Sequence, residues 1–373
     1  LLPTADLHAF QTATDKIPMV LNAQSRAVVS IPQGLGFSRS SGADDELDFL
    51  ITRGLHGDVP LAREWPIGGP SGALRHALEC VKLEETEVST RLDSGDLSLD
   101  AGCMCVGEEA ATMLRSGGKR LRPALMLLMA RSVGASSHAM KRVAQLAVAV
   151  EVLHSASLVH DDILDLATSR RGSETMHVRC GELPAVLIGD YLFAMSTSLV
   201  SDLDSMPAIL LVSKVIADFG RGELAQSASK YEAKEYSLRK YLAKSFHKTA
   251  SLIAAACRGA VALGNEPVTN VAQEEAGYRY GLYVGLAFQV VDDILDFTET
   301  SETLGKPALA DLKSGYVSAP VLLALEEGRL ASHEREALTA ILERHFDQDG
   351  DFDVVLNLIN RAKGLERSEE LAR

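Results

Sequence analysis

Two short acidic motifs are the residues of this chain best suited to chemistry. Each reads DDILD, and together they supply Asp161, Asp162 and Asp165 in the first box and Asp292, Asp293 and Asp296 in the second. An α-helix turns about 100° per residue, so the first and last acids of each box lie on one face. Carboxylate oxygens are the ligands that hard divalent cations prefer. Two such helices facing each other would therefore form a metal-holding cleft.

The surroundings of the boxes argue against a purely solvated role. A solitary acidic run is most often a solvated helix face. Here the flanking sequences SASLVHDDILDL and GLAFQVVDDILDF are apolar around the acids. His154, seven residues before Asp161, and Gln289, three before Asp292, extend the polar face of each box. The pattern favours two buried or half-buried helices that carry a functional stripe.

Composition excludes several classes of protein. The 373 residues are 46% hydrophobic, and 51 acidic against 37 basic residues give a net charge of −14. That balance argues against a nucleic-acid partner, whose phosphates require a basic surface. Five cysteines are too few for a disulfide framework, and the lone pair Cys103 and Cys105 is not expected to bind metal. No run of 18 apolar residues exists, so no transmembrane segment is predicted.

The order of patterns along the chain predicts an all-α bundle with a central cleft. Residues 1–75 carry turn and breaker residues and are predicted to be a loop-rich extension with short helices. Residues 76–373 are predicted to form the helical domain, and no alternating stretch predicts a competing strand. The chain begins with Leu, which indicates either a removed leader or a fragment. Helices are expected over 139–166, twice within 183–230, over 240–264 and 272–298, after Pro320, and within 332–373.

Basic residues beside helix-breaking glycine or proline residues are suited to binding phosphate. In GGKRLRP, two glycines precede Lys119, Arg120 and Arg122, and Pro123 suits the first turn of a helix. Arg170 and Arg171 follow the first box and precede Gly172, a residue expected to mark a helix stop. No GxSxG or HExxH motif is present, so triad hydrolases and zincins are disfavoured. Metal ions held by the two acidic boxes could bind a diphosphate, and the apolar helices around them could form a pocket below it. Such a site suits a substrate with a charged head and a hydrocarbon tail.

The motifs GGKRLRP, HSASLVHDDILDLATSRRG, HKTASL, GLAFQVVDDILDF and LGKPALADLKSG resemble, in order and spacing, those of the trans-isoprenyl (polyprenyl) diphosphate synthase family. The resemblance covers roughly residues 76–373 and implies the isoprenoid-synthase helical fold. It implies a prenyltransferase in which an allylic diphosphate ionises and isopentenyl diphosphate attacks the cation. The expected product is a long-chain trans-polyprenyl diphosphate, of the kind used for ubiquinone side chains.

The resemblance also assigns roles to residues. Roughly two or three Mg²⁺ ions would be held by Asp161, Asp165 and Asp292, supported by Asp162 and Asp296, with Asp293 behind them. Lys119, Arg122, His154 and Arg171 match the isopentenyl diphosphate contacts. The allylic-substrate contacts match Arg170, Lys248, Thr249, Gln289 and Lys306. The residues expected to carry catalysis are Asp161, Asp165, Asp292, Arg170 and Lys248.

The resemblance also bears on product length and compartment, and the sequence departs from the family pattern in three respects. Ala156 and Ser157 are small where a bulky aromatic would block the tail pocket, which favours a long product, although Phe193 could narrow the floor. Leu166 stands where this branch often has another Asp, the chain ends short of the family's last helices, and the extension of residues 1–75 is longer than usual. An organelle is expected, the mitochondrion before the plastid, with the cytoplasm as an alternative.

The resemblance leaves partners and rival functions open. A homodimer or a heteromer with a related subunit is expected, within a larger assembly as an alternative, and with peripheral membrane contact for product release. The main rival function is a non-catalytic or weakly active subunit with the synthase fold. Intact acidic boxes favour the enzyme. A class I terpene cyclase is disfavoured because it lacks GGKRLRP and carries a different second metal motif.

Overall fold

A computed structural model describes residues 82–94, 104–115, 120–170, 173–229, 237–298, 312, 317–326, 328–344 and 346–373. The predicted extension, residues 1–75, lies outside them. Regular structure in the described residues is helical apart from one small hairpin, in agreement with the all-α prediction. The helices are α1 Lys82–Ser94, α2 Met104–Arg115, α3 Leu121–Ser132, α4 Ser137–Leu164, α5 Met176–Cys180, α6 Glu182–Ser201, α7 Met206–Ser229, α8 Leu238–Ser245, a π-helical turn Phe246–Ala250, α9 Ser251–Asn265, α10 Val271–Thr298, α11 Ala319–Ala324, α12 Ser332–Glu343, α13 Asp351–Arg361 and α14 Gly364–Ala372.

The described chain divides into two compact units. The first contains the described residues of Gly72–Gly220 and Ala250–Tyr283, and the second contains those of Arg221–Thr249 and Val284–Arg373. The first acidic box belongs to the first unit, and the second box belongs to the second unit.

The core of the first unit is built around α4. Ser136 caps this helix, since its side chain accepts a hydrogen bond from the Ala139 amide at 3.2 Å. Helices α3, α6 and α9 pack against α4 through its Ala, Val and Leu side chains. Among the described residues, α4 and α6 are long and apolar enough to cross a membrane, with 72% and 44% of their most apolar windows buried. The two helices pack on each other, as core helices do.

Small residues let α9 and the first half of α10 approach closely. A Cβ on Gly281 would lie 2.6 Å from the Ile253 carbonyl oxygen, and a Cβ on Gly277 would lie 2.9 Å from the Val261 side chain. Any larger side chain would push the two backbones apart, because real atoms do not approach so closely. The two glycines therefore fix the packing distance between these helices.

The second unit has its own hydrophobic core. Val290, Val291 and Ile294 from α10 pack with α11, whose six residues are all buried. Leu338 from α12 and Ile359 from α13 complete the same cluster. The apolar side chains of α10 thus face the core, and this burial fixes the direction in which its polar face points.

Helix boundaries depart from the predictions in three places. Helix α4 covers Ser137–Leu164 rather than 139–166. The residue that stops it is Leu166, which follows the cap Asp165 and has φ 52° in the left-handed region, and not Gly172. The amide of Leu166 bonds the Ile163 carbonyl, and that of Ala167 bonds the Asp162 carbonyl, as in a Schellman motif. The predicted helix 240–264 is interrupted by the π-helical turn. An antiparallel hairpin of two-residue strands, β1 Ser169–Arg170 and β2 Ser173–Glu174, was not predicted.

Candidate active site

The first box occupies the end of α4. Asp161 is half-buried, and Asp165, four residues later, is exposed. The Asp165 amide donates to the Asp161 carbonyl at 2.8 Å, so the helical turn that places both side chains on one face is intact. This agrees with the predicted stripe. These two carboxylates are the part of the first box that a solvent-borne cation can reach.

Asp162 points elsewhere and binds Arg170. Its side chain is 3% exposed, and Nε of Arg170 donates to both carboxylate oxygens at 2.8 and 3.0 Å. Nη2 of Arg170 lies 2.6 Å from Oδ1. Thr175 closes the same loop, because its hydroxyl donates to the Ala167 carbonyl at 2.6 Å. Arg170 therefore folds back on the first box, and the ligand role of Asp162 stays a prediction.

His160 anchors the box to α6, a contact that sequence reasoning missed. Its Nε2 lies 3.1 Å from the Val186 carbonyl and 3.7 Å from Oδ1 of Asp190. Gly189 makes room for the ring, since a Cβ there would lie 2.2 Å from Nε2. Its ring also tilts against Phe193, with centroids 5.4 Å apart. The only signal for this contact in the sequence was Gly189, a glycine inside a stretch that otherwise favours a helix.

The predicted head-group contacts are partly described. Arg122 lies in the first turn of α3, and Nη1 is 3.9 Å from Oε1 of Glu151. His154 is half-buried on α4, three residues after Glu151 and so on a neighbouring part of the same face. Both residues therefore lie in the first unit near Glu151. Arg122 forms an ion pair with it, and His154 follows it by three residues on α4. The other predicted contacts Lys119, Arg171 and Lys306 lie outside the described residues.

The second box lies on α10 with its acids in different environments. Asp292 is exposed, whereas Asp293 and Asp296 are 4% and 1% exposed. Oδ1 of Asp293 accepts from Nε2 of Gln289 at 3.1 Å, and Oδ2 accepts from the Ala319 amide at 3.0 Å. Asp293 thereby holds the start of α11 against α10. Its predicted place behind the metal ligands stays a prediction, and so does the supporting ligand role of the equally buried Asp296.

Gln289 connects the second box to the π-helical turn. Its Oε1 accepts from the Thr249 hydroxyl at 2.9 Å, while its amide nitrogen donates to Asp293. Lys248 lies in the same turn, with Nζ 3.3 Å from Oε1 of Glu223. A π-helical turn inside a helix re-aims side chains and is common at functional sites. The predicted residues Lys248, Thr249 and Gln289 are therefore brought together in the second unit.

Tyr241 is a further residue of this network that the sequence did not single out. It is buried, and burial raises the pKa of its hydroxyl well above the usual value, with the negative charge of Asp293 adding to the effect. Tyr241 is therefore protonated at neutral pH beside the buried carboxylate of Asp293. Within the sequence it was an ordinary aromatic residue of an amphipathic helix.

The two boxes agree in their first two acids and differ at the third. In each box the first acid is accessible and the second is buried, with Asp162 bound by Arg170 and Asp293 bound by the Ala319 amide. The third acid is exposed in the first box, at Asp165, and buried in the second, at Asp296. Among the described residues, no three His, Cys, Asp or Glu side chains converge as a closed metal cage. Accessible carboxylates of this kind fit Mg²⁺, which keeps several ligand positions for water and phosphate oxygens. That the boxes face each other stays a prediction.

Comparison with known proteins identifies the family. The polyprenyl synthetase family model matches residues 105–359. A prenyl transferase of Cyanophora paradoxa is 42% identical over 260 residues, covering 70% of this chain and 77% of that protein. The chloroplastic solanesyl diphosphate synthase 1 of Arabidopsis thaliana is 40% identical over 269 residues, covering 71% of this chain and 63% of that protein.

Solved structures agree with the sequence comparisons. A polyprenyl synthase from Caulobacter crescentus, crystallised with calcium and isoprenyl diphosphate, has a TM-score of 0.70 and 31% identity, covering 80% of this chain and 88% of that one. The chain belongs to the polyprenyl synthetase family and has its all-α fold. In class it is a trans-prenyltransferase. The family resemblance inferred from the motifs is thereby confirmed.

Proposed function

We propose that the protein is a Mg²⁺-dependent synthase that adds isopentenyl diphosphate to an allylic diphosphate and makes a long-chain trans-polyprenyl diphosphate. The observation that carries this proposal is the shared arrangement of the first two acids in each box. Asp161 and Asp292 are accessible to solvent, whereas Asp162 and Asp293 are buried. A purely structural pair of helices has no need to leave the first acid of each box accessible to solvent.

The metal would bind chiefly through accessible carboxylates. Asp161 and Asp165 from α4 and Asp292 from α10 would be the ligands, with Asp162 and Asp296 in support. When bound, Mg²⁺ neutralises the diphosphate and makes it a better leaving group. The carboxylates of the chain hold their positions because α4 and α10 are packed in hydrophobic cores.

The basic residues would bind the two substrates. The C–O bond of the allylic diphosphate breaks, the double bond of isopentenyl diphosphate forms the new C–C bond, and one proton leaves to the released diphosphate. Apolar helix faces exclude water from the intermediate cation. Isopentenyl diphosphate would bind Lys119, Arg122, His154 and Arg171. The allylic substrate would bind Arg170, Lys248, Thr249, Gln289 and Lys306.

Small side chains and an apolar pocket support a long product. Ala156 and Ser157 are buried on α4, five and four residues before Asp161. Val150 lies seven residues before Ser157, and so on the same helix face, and it lines a small apolar pocket. Its other walls include Leu146 from α4, Val212 and Val215 from α7, and Leu252 and Ala256 from α9. A hydrocarbon tail running down this face would enter that pocket.

Blocking the face at two depths tests the product length. Ser157→Phe should shorten the product most, and Val150→Phe should shorten it less, because the helix rises about 10 Å over seven residues. Leu210→Phe, at an exposed position of α7, is the control and should leave the product unchanged. Chromatography of the dephosphorylated products measures the lengths. Equal lengths for both buried variants would contradict the proposed tail path.

The compartment and partners are also proposed. The chloroplastic relative favours a plastid, so the mitochondrial preference drawn from the sequence finds no support in it. A quinone side chain is the expected use of the product. Leu183 and Leu187 are exposed on α6, which supports association with a second copy or a related subunit. Localisation of a tagged full-length protein and its mass in solution test these points.

The activity test separates an enzyme from a non-catalytic subunit. Purified protein with Mg²⁺, geranylgeranyl diphosphate and isopentenyl diphosphate should release diphosphate and form a longer prenyl chain. Asp161→Asn and Asp292→Asn should each abolish turnover with helicity unchanged. Asp202→Asn, at an exposed position after α6, is the matched control and should retain activity. Absence of turnover, alone or with a related subunit, would favour the structural role.

A further inference from the structure

Glu151 is a buried acid in the middle of an apolar helix. Its side chain is 7% exposed, and its neighbours Val150 and Val152 belong to the core of the first unit. A carboxylate removed from water costs several kcal/mol unless a cation compensates it. Neither acidic box includes Glu151, and nothing in the motif pattern assigned it a role.

Two arginines of GGKRLRP converge on this carboxylate. Nη1 of Arg120 donates to Oε2 at 3.2 Å, and Nη1 of Arg122 lies 3.9 Å from Oε1. Nη2 of Arg120 also donates to the Leu114 carbonyl at 3.0 Å. The two contacts differ in kind, because the first is a hydrogen bond and the second is an ion pair without one. Arg120 is thus committed to the protein itself, while Glu151 orients Arg122 by charge.

The backbone at Arg120 explains why an anchor is needed. Arg120 has φ 49° and ψ 36°, in the left-handed region that residues other than glycine rarely adopt. It is the residue from which α3 starts, so its conformation sets the direction of the first turn and hence of Arg122. The Glu151 and Leu114 contacts hold the Arg120 side chain in place. His154, the other described head-group contact, lies one turn from Glu151 on α4.

We propose that Glu151 is the positioning residue for the isopentenyl diphosphate head group. It fixes Arg122 directly and, through Arg120, the start of α3, so that the diphosphate meets an already ordered guanidinium. This inference rests on the proposed function. Two guanidinium groups face one carboxylate, so these three groups together carry a positive charge, which favours an anion. Arg120 and Arg122 therefore have separate tasks, anchoring in one case and diphosphate binding in the other.

Glu151→Gln tests this division, since it keeps the size and the acceptor but removes the charge. We expect the KM for isopentenyl diphosphate to rise about tenfold, the effect of one misplaced charged contact. The KM for the allylic diphosphate should stay unchanged and kcat should fall by less. Glu151→Asp, which keeps the charge, should rescue part of the KM. An unchanged or lower KM for isopentenyl diphosphate in Glu151→Gln would overturn the proposal.

A matched control and a binding measurement complete the test. Ser155→Ala removes a buried hydroxyl that donates to the Glu151 backbone carbonyl at 3.0 Å, and it should not change either KM. Calorimetric titration with isopentenyl diphosphate alone requires no turnover. If wild-type protein binds it and Glu151→Gln binds equally well, the positioning role is wrong while the proposed function stands. If wild-type protein neither binds it nor forms product, the proposed function itself fails. Where Glu151→Gln does not fold, the same comparison is made with Glu151→Asp, for which weaker binding is expected and equal binding refutes the role.

Discussion

The contact between Asp162 and Arg170 offers a direct measurement of what the buried acid of the first box does. Three nitrogen–oxygen distances between them are 2.6, 2.8 and 3.0 Å. Removing one partner of a fully buried ion pair costs about 3–5 kcal/mol, whereas an exposed pair contributes about 0.2–1 kcal/mol. The carboxylate is buried, but the Arg170 side chain is 36% exposed. We therefore expect a coupling free energy of about 1–3 kcal/mol.

A double-mutant cycle measures this coupling. Asp162→Asn, Arg170→Gln and the double variant are unfolded in urea without metal, and the free energies of unfolding are compared. If the two single losses add to within about 0.5 kcal/mol, the pair does not stabilise the protein and the reasoning is refuted. A second comparison addresses the ligand role of Asp162. Stabilisation by Mg²⁺ alone should survive in Arg170→Gln, because Arg170 is a substrate contact, and its selective loss in Asp162→Asn would make Asp162 a metal ligand.

Two further predictions concern backbone strain and pH. Leu166→Gly should raise the free energy of unfolding by about 0.5–1 kcal/mol, because Leu166 is 74% exposed at φ 52° and its side chain is lost at little cost. Leu164→Gly, within the helix, should lower the free energy of unfolding by a similar amount. If both variants change the free energy of urea unfolding in the same direction, the strain argument is contradicted. Burial and the Asp293 charge raise the pKa of Tyr241, so its contribution to stability is complete below about pH 10 and declines above it, where only the unfolded chain loses the proton. Tyr241→Phe should therefore flatten the fall in stability measured between pH 8 and pH 11, and an unchanged slope would count against this placement of the hydroxyl.

Much of the fold follows from local sequence pattern. The helix predicted over 272–298 is found at Val271–Thr298, and the two helices predicted within 183–230 are α6 and α7. Apolar spacing along a helix is set by its own period, so a short window of sequence contains the whole signal. The spacing within each acidic box is local in the same sense. Order and spacing of the motifs were also sufficient to indicate the family.

Details that depend on backbone strain were not predictable in this way. The sequence predicted Gly172 as the residue that stops α4, but that residue is Leu166, which follows the helix cap in the left-handed region. The π-helical turn Phe246–Ala250 interrupts a stretch whose apolar pattern is continuous. Such conformations persist only where surrounding contacts hold them. Here the loop is closed by Thr175 and Arg170, which no pattern within α4 reveals.

The chemistry of the individual acids was decided only by tertiary structure. By itself the sequence determined that two identical DDILD boxes lie on helices with their first and last acids on one face. It did not distinguish Asp162 and Asp293 as buried anchors, nor did it single out Glu151 in its apolar helix. Whether a carboxylate can be buried depends on a cation or an amide that reaches it from elsewhere, as the Ala319 amide reaches Asp293 across 26 residues. Helical periodicity is a property of neighbours along the chain, whereas the partner of a buried charge is a property of the folded molecule.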